Sequence, residues 1–171
     1  MGQEGEVSSC KQGSVNAAWV KAGAGRFLMV RLAPGTDLIE GLEEALKKEG
    51  VLAGSVVSCI GSLREAAFHI AVPAENSIGA SYSPPIKVGG PLELLSGQGT
   101  IGLGEGGGVF VHIHGVFSNG KGVIRGGHLV RGENPVLITC EIAVACLDGV
   151  QIERRYDPQV DMPVFSISRK Q

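Results

Sequence analysis

Only one stretch of this chain repeats its apolar residues at helical spacing, and nearly everything after it alternates like strand. Leu38, Ile39, Leu42, Ala45 and Leu46 fall on one stripe of a 3.6-residue period. Thr36 or Asp37 can cap the start, Glu40 stands three residues after Asp37 as in a capping box, and Gly50 can close the end. Glu43 and Glu44 each precede a lysine by four, Lys47 and Lys48, which suits a solvated face. A lone amphipathic helix must bury its stripe against something else. One helix laid on a mostly antiparallel sheet is an α+β domain.

The strands can be placed from apolar runs and turn formers. Arg26 to Leu32 reads as a first strand, ended by Ala33-Pro34-Gly35. Val51 to Ile60 is nearly all apolar, as in a strand buried on both faces, and Gly61-Ser62 is expected to break it before a strand over 65–72. Residues 73–85 are expected to form a loop, Leu92 to Ser96 a short strand, and Gly97 to Gly108 a glycine-rich connection. Strands follow over 109–117, 123–130, 136–147 and 150–156. The division is therefore a flexible N-terminal segment (1–22), one domain (23–157) and an irregular extension (158–171) carrying Pro158 and Pro163.

Composition narrows the function classes. Fifteen Lys and Arg against seventeen Asp and Glu give a net charge of -2, which excludes a polybasic chain binding nucleic acid by bulk charge. With 43% apolar residues it is not a high-charge disordered chain. Twenty-seven glycines and only 5% aromatics call for an aliphatic core and a backbone with many turns, bulges or close approaches. The N-terminus is polar, without the basic start and apolar run of a signal peptide, and Glu6 stands where a myristoylation signal needs Ser or Thr. No run nears the ~18 apolar residues of a membrane span. Cys10, Cys59, Cys140 and Cys146 form no CxxC, and the last three lie in apolar runs as small core residues. A reducing, cytoplasmic setting is expected.

The chemistry concentrates in three histidines: His112 and His114 in Val-His-Ile-His-Gly, and His128 in Arg-Gly-Gly-His-Leu. Strand side chains alternate, so His112 and His114 share a face. Asn119-Gly120 marks a hairpin that returns His128 beside them. A two-residue loop at Asn119-Gly120 puts His128 on the wrong face. A three-residue loop, Asn119 to Lys121, places His128 opposite His112 with all three rings on one face, and a bulge at Gly126-Gly127 has the same effect. Three imidazoles and an open position form a catalytic zinc arrangement, and nickel, copper or iron can bind the same nitrogens. An open zinc site can lower the pKa of its water to about 7. The plain alternative is three histidines on a half-exposed sheet face.

Other candidates carry less. His69, between Phe68 and Ile70, is expected to be hydrogen-bonded or exposed, with no nearby partner. Gly97 to Gly102 matches GxGxxG but no helix opens there, so it is not a dinucleotide site. Glu93, Glu141, Arg64, Arg125 and Arg131 read as solvated or paired strand charges, and Ser62 has no His–Asp pattern around it. No catalytic residue and no substrate can be named from these residues.

Taken in order, Leu32-Ala-Pro-Gly-Thr-Asp-Leu-Ile39, Val-Val-Ser-Cys-Ile-Gly-Ser-Leu63, Leu92-Glu-Leu-Leu-Ser96, Gly99-Thr-Ile101, His112-Ile-His114 and Gly-Lys-Gly-Val-Ile-Arg-Gly-Gly-His-Leu129 resemble the plants-and-prokaryotes-conserved (PPC) domain over about residues 24–157. The resemblance implies an α+β fold with one antiparallel sheet and a flanking helix, assembled as a homotrimer. It also implies a metal site, zinc foremost, at His112, His114 and His128, as in the prokaryotic branch. Plant relatives are nuclear DNA-binding regulators with an AT-hook. This chain has no Arg-Gly-Arg-Pro hook and no basic tail, so a DNA-associated regulator is the alternative function.

Overall fold

The computed structural model describes residues 8–12, 15–76 and 78–170. The expectations for residues 1–7 and for the side chain of Cys10 lie outside what it describes. The elements run β1 (Ser8–Gln12), β2 (Val15–Trp19), β3 (Gly23–Leu32), α1 (Leu38–Lys48), β4 (Gly54–His69), β5 (Ala71–Pro73), β6 (Ala80–Tyr82), β7 (Ile86–Leu103), β8 (Val109–Asn119), β9 (Ile124–Leu129), β10 (Val136–Asp148), β11 (Val150–Asp157) and β12 (Met162–Arg169). This is the expected α+β domain, one helix against a mostly antiparallel sheet. Within the segment read as flexible, β1 and β2 pair antiparallel.

The helix starts where its cap dictates. Asp37 Oδ1 accepts the N–H groups of Ile39 and Glu40, both at 3.0 Å, so Asp37 rather than Thr36 is the cap. Its other oxygen accepts the N–H of Asn134 at 2.8 Å, tying the helix start to the approach to β10. Glu40 does not close a capping box. With Glu43 it holds Arg131, at 2.7 and 2.8 Å. Leu38, Leu42 and Leu46 are wholly buried, each burial worth roughly 1.5–3 kcal/mol.

The main sheet has the order β12-β11-β7-β8-β9-β4-β10-β3, with β4 also pairing β7. That extra pairing closes a ring of β7, β8, β9 and β4. It brings the end of β4 onto β9, with Phe68 opposite Leu129 and His69 opposite His128. Among the described residues, the single parallel contact joins β11 to β7 at Glu153 and Leu103.

Four expectations about breaks in the chain are corrected. Gly61-Ser62 does not end a strand, because β4 runs through both. A Cβ at Gly61 would stand 2.2 Å from the Thr139 carbonyl oxygen, so the glycine permits a close crossing of β10. Gly97 to Gly102 is not a connection but the last third of β7, and only Gly104 to Gly108 forms the turn. Residues 162–169 are not irregular. Pro163 fits a strand because β12 lies at the sheet edge, where a missing N–H costs no ladder bond. Likewise, 71–73 and 80–82 form a small hairpin within the expected loop.

Val51 to Ile60 is not buried on both faces either. Val56 and Cys59 face the core, while Val57 and Ile60 are exposed. Cys59 and Cys140 are buried with their sulfurs 3.4 Å apart, and Cys146 is buried too, as core thiols should be. The hydrogen bond to Cys140 and burial both push the Cys59 thiol upward, away from the reactive thiolate. Among the described residues, no helix is long and apolar enough to cross a membrane.

Candidate metal centre

The site is built on the β8–β9 hairpin. Its loop has three residues, as the one-face arrangement requires, but it lies one residue further along than expected. The Asn119 N–H donates to the Val123 carbonyl, so Gly120, Lys121 and Gly122 form the loop. Asn119 Oδ1 accepts the N–H groups of Lys121 and Val123, and Gly122 adopts a φ of +75°, a left-handed conformation suited to glycine. The pairing that follows sets His128 opposite His114, not opposite His112, with Gly127 opposite Gly115. Moving the loop by one residue shifts the register by two, so the parity is kept and no bulge at Gly126-Gly127 is needed.

All three rings meet. Ligand-capable nitrogens of His112, His114 and His128 lie within 4.8 Å of one another. Nε2 of His112 and Nε2 of His114 are 3.0 Å apart. The His128 ring centroid is 4.6 Å from that of His112 and 5.4 Å from that of His114. Tetrahedral zinc with Zn–N bonds of 2.0–2.1 Å needs nitrogens about 3.3 Å apart, so the cluster is near the required spacing. Nδ1 of His128 is buried and has no hydrogen-bond partner among the described residues, which costs free energy unless something else satisfies it. Three converging imidazoles with an orphaned nitrogen fit a metal ion.

Electrostatics favour the ligand form. Burial, then the neighbouring His112, His114, His69 and Arg154, push the His128 pKa down to about 4. Burial, His114 and Arg154 lower that of His112. Both rings are thus neutral at pH 7, with lone pairs free for a metal.

The ring closure of the sheet adds a fourth histidine that sequence reasoning left without a neighbour. His69 lies across the β4–β9 pair, its ring 6.2 Å from that of His128 and 5.8 Å from that of Tyr82. Its Nδ1 is 2.7 Å from the Ser83 carbonyl, which can only accept. The proton of that contact therefore sits on Nδ1, and Nε2 is the ring nitrogen left free of it. Arg154 was also missed. It stacks on Phe110, its Cζ 4.5 Å from the ring centroid, and donates to the Pro163 carbonyl at 3.2 Å. No local sequence signal marks either residue, since long-range pairing places both. The remaining candidates are accounted for elsewhere: Ser62 Oγ accepts the Ile138 N–H, Glu141 accepts the Thr139 hydroxyl, and Glu93, Arg64 and Arg125 are exposed.

Known proteins share this architecture. A plant- and prokaryote-conserved (PPC) protein from Pyrococcus horikoshii is 28% identical, with a TM-score of 0.73 over 85% of this chain and 94% of its own. A protein from Archaeoglobus fulgidus described as metal-containing is 29% identical, with a TM-score of 0.71 over 85% of this chain and 96% of its own. The bifunctional protein GlmU of a Synechococcus strain is 30% identical over 136 residues. The match takes in 80% of this chain but only 20% of that much longer relative. The sequence model of the Plants and Prokaryotes Conserved (PCC) domain matches residues 20–148, the span that holds the helix, the ring of strands and all four histidines, and the chain belongs to that family.

Proposed function

We propose that this protein is a homotrimeric metal-binding member of the family in which His112, His114 and His128 hold zinc. The observation that carries the reading is the convergence of three imidazoles held on one sheet face by a defined hairpin register. The metal-containing relative from Archaeoglobus supports it. Zinc with an open position would supply Lewis acidity to whatever enters the adjoining cleft. The chain's own part is to orient the three rings and keep those of His112 and His128 unprotonated; nickel, copper or iron would suit the same nitrogens. Metal analysis of protein purified without a histidine tag tests the reading. About one zinc per chain is expected, lost in His112→Ala; no stoichiometric metal, or the same content in the variant, would sink it.

The assembly reading is supported by an unusually apolar exterior on the sheet. Phe27 and Met29 are 68% and 69% exposed, and Ile60, Val116, Ile124 and Ile138 also face outward. A cytoplasmic setting is supported by three buried, free cysteines. For DNA association only the resemblance speaks. Many surface cations are already paired: Arg131 with Glu40 and Glu43, Lys87 with Glu133, Arg26 with Glu49, and Arg155 with Glu153. A gel shift at low ionic strength, where phosphate contacts are strongest, tests it.

A further inference from the structure

A cleft of about 610 Å³ opens beside the histidine cluster. His112, His128 and His69 line one side of it, and Arg154 lies within it. Phe110, Phe165, Met162 and Val164 supply apolar wall, brought there by β8 and by the edge strand β12. Among the described residues no Asp or Glu lines this cleft. Three neutral imidazoles cannot neutralise a divalent cation, and Arg154 adds a further positive charge with no carboxylate partner among the described residues. The cleft therefore carries unbalanced positive charge within a largely apolar surface, and low-polarity walls strengthen that field.

Arg154 is also pre-oriented. Its guanidinium carbon lies over the Phe110 ring, and a single N–H is spent on the Pro163 carbonyl. Four of its five donors are not assigned to that bond, in the fork geometry that matches a carboxylate. From this we infer that the cleft binds a small carboxylic acid with an aromatic or branched apolar body, its carboxylate set between Arg154 and the metal. The inference rests on the metal reading above and names the ligand class of that site. His69 borders the same space, its Nδ1 held by the Ser83 carbonyl, which leaves its Nε2 as a further polar group for a hydroxyl or amine on the acid.

Calorimetric titration with sodium phenylacetate tests this, using the full chain loaded with zinc and checked for zinc content. Phenylacetamide, its neutral counterpart, and inorganic phosphate serve as controls. The expected result is phenylacetate binding to the wild type, weakened about tenfold or more in Arg154→Gln at unchanged zinc content, with Arg154→Lys between the two. Phenylacetamide and phosphate should each bind more weakly, the first lacking charge and the second lacking an apolar body. If zinc loads but phenylacetate does not bind, or binds Arg154→Gln as well as wild type, the ligand assignment is overturned and the metal site stands. Equal binding of phenylacetamide, or of phosphate, also overturns it. If zinc does not load, both readings fall. Thermal melting of each variant separates lost binding from lost folding.

Discussion

Replacing Gly127 with alanine should disturb the histidine cluster without altering a histidine. A Cβ at this position would stand 2.3 Å from the His69 carbonyl oxygen and 2.8 Å from Cδ2 of Phe68. Ordinary contact begins near 3.4 Å, so the backbones of β9 and β4 must separate by roughly 1.1 Å, the difference between the two distances. The Phe68 ring can turn aside. The carbonyl is backbone, and the strand just before it is held on its other side by β7, where Ala67 pairs with Lys87 and Phe68 with Ile86. Forcing a methyl group into such a site costs about 1–3 kcal/mol, which for a domain of this size lowers Tm by about 2–12 °C. The shift also moves His128 relative to His112 and His114. A loss of about 10–100-fold in zinc affinity is expected, the size seen when support behind a metal ligand is removed. Thermal melting after chelator treatment reads the first effect, and competition against a chromophoric chelator reads the second. Gly120→Ala is the control: nothing lies within 4 Å of its Cβ, so stability should stay within about 0.5 kcal/mol. A Gly127→Ala protein with wild-type Tm and wild-type zinc affinity would refute the close packing of β9 on β4 and its role in aiming His128.

Asp37→Ala should cost about 2–4 kcal/mol, since it removes the helix cap and strands the Asn134 N–H; urea unfolding would measure it, and a loss under about 0.5 kcal/mol would contradict the double role. Zinc at about a hundred times its Kd should stabilise the wild type by about 2.7 kcal/mol and leave His112→Ala unchanged, read by melting with and without chelator. Met29→Lys places a charge on the exposed apolar face of β3 and should reduce the assembled mass in light scattering, with little change in helix or strand signal. An unchanged mass would remove that face from the proposed trimer contact.

The helix, the aliphatic core and the shared face of His112 and His114 could be read from the chain alone. Each depends on a local period: 3.6 residues for Leu38, Leu42 and Leu46, and two for the histidine pair. Side-chain parity in the hairpin is local as well: it asks for either a three-residue loop or a bulge at Gly126-Gly127, and the chain takes the loop. Which three residues was beyond it, because Asn119 chooses by bonding Lys121 and Val123 with its side chain, and Gly122 supplies the positive φ. The glycine excess was legible as a need for close approach. Its places were not: Gly61 and Gly99 look like punctuation until β10 and β8 are seen passing over them. Pro163 suggested irregular chain because nothing local says that β12 is an edge. His69 and Arg154 lie furthest from the motif in sequence. Only the closure of β4 onto β9, and the laying of β11 beside β7 with β12 beyond it, bring them to the cleft. Periodicity acts between neighbours in the chain, so it decides which face a side chain takes; strand pairing acts between distant segments, and it decides what that face meets.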